Sequence, residues 1–149
     1  MIKITFPDGQ VREFENGITP FQVALSISEG LARNVLAAKV NDTVQDATLP
    51  LQQSCSLQLL TWNDLEGKST MWHSSAHLMA EALEFYYPGI KLAIGPPVTN
   101  GFYYDVDLMD HSISEKDLEK IEEKMKELAR QKNPFIRQEI SKAEAIAYF

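Results

Sequence analysis

The first residues, Ile2-Lys3-Ile4-Thr5-Phe6, alternate apolar and polar side chains, the period of a strand with one face buried. Pro7-Asp8-Gly9 supplies turn chemistry and Val11-Arg12-Glu13-Phe14 resumes a short strand, so the opening predicts a β-hairpin. Thr19-Pro20-Phe21-Gln22 offers an N-cap, a proline at the first helical position and a Gln able to close a capping box; Phe21, Ala24, Leu25 and Ile27 follow, predicting a helix over about 20–29. Residues 34–40 carry Val35, Leu36, Ala37, Ala38 and Val40 and read as a strand, Asn41-Asp42 turns the chain, and 56–62 is strand-like again. The predicted order of this half is β-β-α-β-β.

At 63–68, Asn63-Asp64-Leu65-Glu66-Gly67-Lys68 breaks the pattern, and a linker is expected there between a first unit over 1–62 and a second over 69–149. A helix is predicted over about 69–87, ending at Pro88-Gly89. Short strands separated by turns follow over 90–107, with a hairpin signal at Asn100-Gly101. Ser114-Glu115-Lys116-Asp117 opens another helix, in which Leu118, Ile121, Met125 and Leu128 recur at helical spacing to about Gln131. Its many Lys and Glu residues read as a solvated face. Residues 134–140 look like a strand, and Ser141-Lys142-Ala143-Glu144 is a capping box opening a last helix that Phe149 cuts short, as in a piece of a longer protein. The fold class expected is α+β.

Charge narrows the partners. The chain of 149 residues has a formal net charge of −7, and both sides of Trp62 are acidic, at −2 with four basic and six acidic residues and −5 with ten and fifteen. That opposes the phosphate neutralisation on which nucleic-acid affinity depends, so weak or no binding of nucleic acid is expected of this chain by itself. No apolar run approaches a membrane span and no signal peptide is recognisable at the start, so a cytoplasmic location is expected. The single cysteine, Cys55, excludes an internal disulfide and a cysteine-rich zinc site, and is most simply a buried small residue.

His73 and His77 stand four apart on the predicted helix and share one face. Trp72, Ala76, Met79, Leu83 and Tyr86 flank that stripe on one side and Leu78, Ala82 and Phe85 on the other, which predicts a helix packed on two sides with the histidines at the seam. Such a pair suits general acid–base work or metal ligation, with Glu84 placed to orient a ring; a hydrogen-bonded packing role explains the same spacing. A metalloprotease motif is excluded because Ser74 occupies the place of its glutamate, and a third metal ligand could come only from His111, Cys55 or scattered carboxylates, so no metal is expected. Ser74 and Ser75 lie one and two residues from His73, where helix side chains do not face each other, so a Ser–His nucleophile is not expected. Gly95-Pro96-Pro97-Val98-Thr99-Asn100-Gly101 lacks phosphate-loop spacing and reads as two turns. Phe102-Tyr103-Tyr104 has two readings, a platform for a base or ribose and the buried face of a strand.

His73-Ser74-Ser75-Ala76-His77-Leu78, then Ala93-Ile94-Gly95-Pro96, then Asn100-Gly101-Phe102-Tyr103-Tyr104-Asp105 closely resemble the start of the editing domain of the bacterial threonyl-tRNA synthetase family. Residues 1–62 resemble the ubiquitin-like β-grasp domain, called TGS, that precedes it there, so the resemblance covers the chain in the family's order. It implies hydrolysis of mischarged seryl-tRNA(Thr), needed because a pocket built for threonine discriminates weakly against serine. It further implies His73 as the group activating water and His77 as its assistant, with Gly95 and Tyr104 holding the terminal adenosine.

The family's second half of that site, a Cys-x-x-x-His pair with a lysine and an aspartate, is not in this chain. Nor are its catalytic core, where ATP, Mg and Zn are expected, and its anticodon-binding domain. The resemblance therefore implies no cofactor here, tRNA(Thr) and a homodimer as partners of the whole enzyme through other domains, and little activity from residues 1–149 alone. Two other classes remain: a non-catalytic protein- or RNA-binding module, and a free-standing editing hydrolase, against which the missing Cys-x-x-x-His speaks.

Overall fold

The computed structural model describes residues 1–148. Strand β1 (Ile2–Thr5) pairs antiparallel with β2 (Val11–Phe14) in the expected hairpin, Ile2 opposite Phe14 and Thr5 opposite Val11. Ile2 and Ile4 face inward while Lys3 and Thr5 face out, as strand alternation requires. Thr19 and Gln22 close the capping box in both directions, at 3.2 and 2.9 Å, and Pro20 opens α1 (Pro20–Ile27).

The expected helix over 20–29 is divided at Ser28. Extended backbone there ends α1, and the Ser28 hydroxyl accepts from the Leu31 amide at 3.0 Å to start α2 (Glu29–Asn34), so one serine both ends one helix and caps the next.

Strand β3 (Ala37–Val40) turns at Asn41-Asp42 into β4 (Thr43–Gln45), a strand absent from the sequence expectation. Both turn residues have positive φ, 45° and 65°, the signature of a two-residue hairpin loop. With β5 (Cys55–Leu60) the sheet has the order β2-β1-β5-β3-β4, in which only β1 and β5 run parallel. The side chains of Ile4, Val23, Ala38, Leu51, Cys55 and Leu57 form its core beneath α1.

The stretch expected as a linker mostly folds as helix. Helix α3 (Leu65–Tyr86) starts four residues before the expected position because the Asp64 carboxylate binds the Thr61 amide at 2.7 Å and Gly67 seats the first turn on the Thr61 backbone. A Cβ at Gly67 would stand 2.8 Å from the Thr61 carbonyl carbon, so only glycine allows that approach. Lys39 on β3 and Glu66 on α3 add an ion pair at 2.9 Å.

Beyond α3, β6 (Lys91–Leu92) pairs with β9 (Val106–Asp107), and β7 (Pro97–Val98) with β8 (Gly101–Phe102) in a hairpin at the Asn-Gly signal. Helix α4 (Glu115–Gln131) packs on α3 through Ile121, Leu128, Ala82 and Leu83. Its charged face holds one exception: Lys124 is buried, with its ammonium 3.7 Å from the Phe85 ring centre and 3.1 Å from Glu127. Its apolar stripe holds another, since Leu118 is exposed.

Residues 134–140, expected as a strand, run without strand pairing and stay exposed. Helix α5 (Lys142–Tyr148) follows, capped as expected by Ser141 and Glu144, whose bonds measure 2.7 and 3.2 Å. Its continuation to Phe149 lies outside the described residues. No described helix is long and apolar enough to cross a membrane.

Candidate active site

Helix α3 carries the histidine pair. It is packed on two sides, by α4 and by the β7–β8 hairpin, and small buried residues, Ala76, Ala80 and Ala82, allow the close approach. The histidines point to the open side. His73 and His77 Nε2 atoms lie 3.2 Å apart and the rings stack, centres 4.9 Å apart and planes inclined by 28°. A hydrogen bond at this distance requires one ring to donate Nε2–H and the other to present a lone pair, so the pair holds an asymmetric proton arrangement. No hydrogen bond joins Glu84 to either ring among the described residues.

Both rings border a cleft of about 620 Å³. Helix α3 forms one wall with Ser69, Thr70, His73, Ser74 and His77; β4 and the turn after it form the other with Val44, Gln45, Asp46 and Thr48. Asn133, Pro134 and Phe135 close a third side. Among the described residues no group of three or more His, Cys, Asp or Glu side chains converges as metal ligands would. His111, weighed as a third ligand, stands elsewhere, against Tyr87 and the Pro88 carbonyl. Cys55 is buried in the sheet core, where desolvation pushes its thiol pKa up and away from reactivity.

Gly95 and Tyr104 are brought together: a Cβ at Gly95 would stand 2.6 Å from Tyr104 Cε2, so the tyrosine ring packs directly against the glycine. They do not border the histidine cleft. Phe102 instead joins an aromatic cluster with Trp72, 6.1 Å away, which meets Trp62 edge-on at 5.1 Å and ties the end of the sheet to α3 and β8.

Two groups at the cleft were given no place there by the sequence reading. Ser74, weighed only against His73, is half-buried and its hydroxyl makes no hydrogen bond among the described residues; its spacing of three from His77, a facing position on a helix, was the available signal. Gln45 is half-buried on a three-residue edge strand, which leaves no periodicity to detect.

The five-stranded sheet with its crossing helix is a β-grasp fold, and residues 2–61 match the TGS domain family. Over all its length the chain matches the N-terminal part of threonine–tRNA ligases. The relatives include that of Cytophaga hutchinsonii at 64% identity, of Flavobacterium johnsoniae at 54% and of Parabacteroides distasonis at 54%, each matched over 100% of this chain. The chain spans 23% of the length of each relative.

Proposed function

We propose that this chain works within a threonine–tRNA ligase as its TGS domain, residues 1–62, and the first part of its editing domain, residues 69–149, and that it contributes to hydrolysis of mischarged seryl-tRNA(Thr). The observation that carries this reading is the hydrogen-bonded pair His73–His77 at the border of an open cleft. When His73 donates through Nε2, its Nδ1 is left bare to accept a proton from water, directly or through the terminal ribose hydroxyl. His77, accepting at Nε2, then stabilises the imidazolium through a charge-assisted hydrogen bond. The hydroxide adds to the ester carbonyl, the C–O bond to the ribose breaks, and the proton held by His73 passes to the departing ribose oxygen, releasing serine and uncharged tRNA.

Tyr104 laid on Gly95 offers an aromatic surface for the terminal adenosine, separate from the histidines in this chain. In the whole ligase, ATP-dependent charging, zinc and magnesium, homodimer contacts and the basic surface that holds tRNA(Thr) belong to other domains, in keeping with a net charge of −7 here. A cytoplasmic location goes with that reading.

The test is deacylation of seryl-tRNA(Thr) by this chain extended through the whole editing domain, with His73→Ala and with a chelator. Activity lost with the substitution and kept with the chelator is expected. Full activity in His73→Ala would remove the histidine mechanism, and none in the unsubstituted protein would return the chain to the class of binding modules.

A further inference from the structure

The two parts of the proposed site stand on different elements: the histidine pair on α3, and the Gly95–Tyr104 surface on the ribbon that β7 and β8 close. An ester held at one and a water activated at the other meet only if the distance between the elements is fixed. Trp72 is placed to fix it. It directly precedes His73, and successive side chains on a helix diverge by about 100°, so its ring meets the hairpin while the imidazole meets the open cleft.

The Trp72 and Phe102 ring centres lie 6.1 Å apart with planes inclined by 41°. Phe102 stands opposite Pro97 in the β7–β8 ladder, and the same antiparallel register brings Gly95 opposite Tyr104, two residues further along each arm. A ring held at Phe102 therefore holds the backbone that carries Gly95 and Tyr104. Trp72 also receives Trp62 edge-on, centres 5.1 Å apart. Lys68, one turn before Trp72 on α3, places its ammonium 5.8 Å from the Trp62 ring centre. Trp62 follows Thr61, the residue on which Asp64 and Gly67 seat the helix. The three rings thus run without interruption from the end of the β-grasp sheet, past the helix beside His73, to the ribbon.

We propose that Trp72 is a positioning residue for the hydrolysis, setting the Gly95–Tyr104 surface in register with His73 through Phe102, with Trp62 as its buttress. This rests on the editing reading above. Trp72 touches neither the ester nor the water; it decides whether an ester bound by its adenosine reaches the histidines at reacting distance. Its loss leaves both parts of the site intact and misplaces one against the other.

The experiment measures kcat and KM for seryl-tRNA(Thr) deacylation in the full-length ligase carrying Trp72→Leu, Trp72→Phe, Phe102→Leu, Trp72→Leu and Phe102→Leu combined, Trp62→Leu or His73→Ala, with threonine charging and thermal midpoint as controls. Trp72→Leu is expected to lower kcat about tenfold or more with KM within about twofold of wild type, since misplacement costs chemistry rather than binding. Trp72→Phe, which keeps an aromatic ring against Phe102, should recover most of that loss. Phe102→Leu should lower kcat by a similar factor, and the combined substitution no further than the more severe single one, because both break one contact. Trp62→Leu, at a residue 46% exposed, should lower kcat about threefold by removing the buttress. Wild-type kcat in Trp72→Leu, or single losses that multiply in the combined substitution, overturns the proposal while an inactive His73→Ala keeps the histidine mechanism. Should Trp72→Leu fail to fold, wild-type kcat in Trp62→Leu overturns it instead. Wild-type deacylation in His73→Ala overturns both readings.

Discussion

Between residues 1 and 62 the chain buries Ile4, Val23, Leu57 and Leu60 almost completely and pairs five strands into one sheet. Beyond it, two-stranded ribbons and a helix pair share a smaller core, and Phe135, Ile136, Ile146 and Tyr148 stand in solvent. The first region builds a sheet core of its own, although Val11, Leu25 and Trp62 stay exposed, whereas residues 134–140 find neither ladder nor core among the described residues. The difference separates a sheet with its own core from a helix, α3, that leans against it and carries the proposed functional groups.

Leu60→Ala against Ile136→Ala is the strongest way to break this comparison. Leu60 is fully buried, so its truncation should cost about 2–5 kcal/mol in urea unfolding, whereas Ile136, 77% exposed, should move stability by less than about 0.5 kcal/mol. Equal costs would show that 134–140 is packed after all.

Gly67→Ala attacks the joint between the regions. The added methyl meets the Thr61 backbone, which no rotamer change relieves, so a loss of about 1–3 kcal/mol is expected. Thermal unfolding should then divide into two transitions, and one unchanged transition would show that the joint does not couple them. Gly95→Ala should cost less, about 1 kcal/mol, since the Tyr104 ring can swing away, and displaced Tyr104 ring resonances would record that movement.

The smallest effect concerns pH. Bonds from the Ser114 hydroxyl and amide hold the Asp117 carboxyl at about 2, with Lys120 adding to them, below its ordinary 3.8. A folded-state pKa below the unfolded one contributes stability that is present above about 4 and lost as pH falls through about 2. Amide exchange in the first turn of α4 should therefore accelerate across that window, and Asp117→Asn should remove the dependence.

Elements announced by residues a few positions apart were legible: the first hairpin, the Thr19 and Ser141 capping boxes, the Asn41-Asp42 turn, the face shared by His73 and His77. Those that depended on distant partners were not. Nothing local marks 43–45 as a strand, since its evidence is β3 across the turn. Lys124 reads as solvated until Phe85 is brought over it, and 134–140 reads as a strand until no edge meets it.

The sequence by itself determined the identity of most elements and the proximity of the two histidines, because caps, turns and helical spacing are set by covalent neighbours. Only the tertiary structure decided that Tyr104 lies on Gly95, that α3 begins against Thr61, and that Gln45 faces the histidine cleft. Those relations join residues far apart in the chain, and they exist only once burial and backbone pairing have brought separate elements into contact.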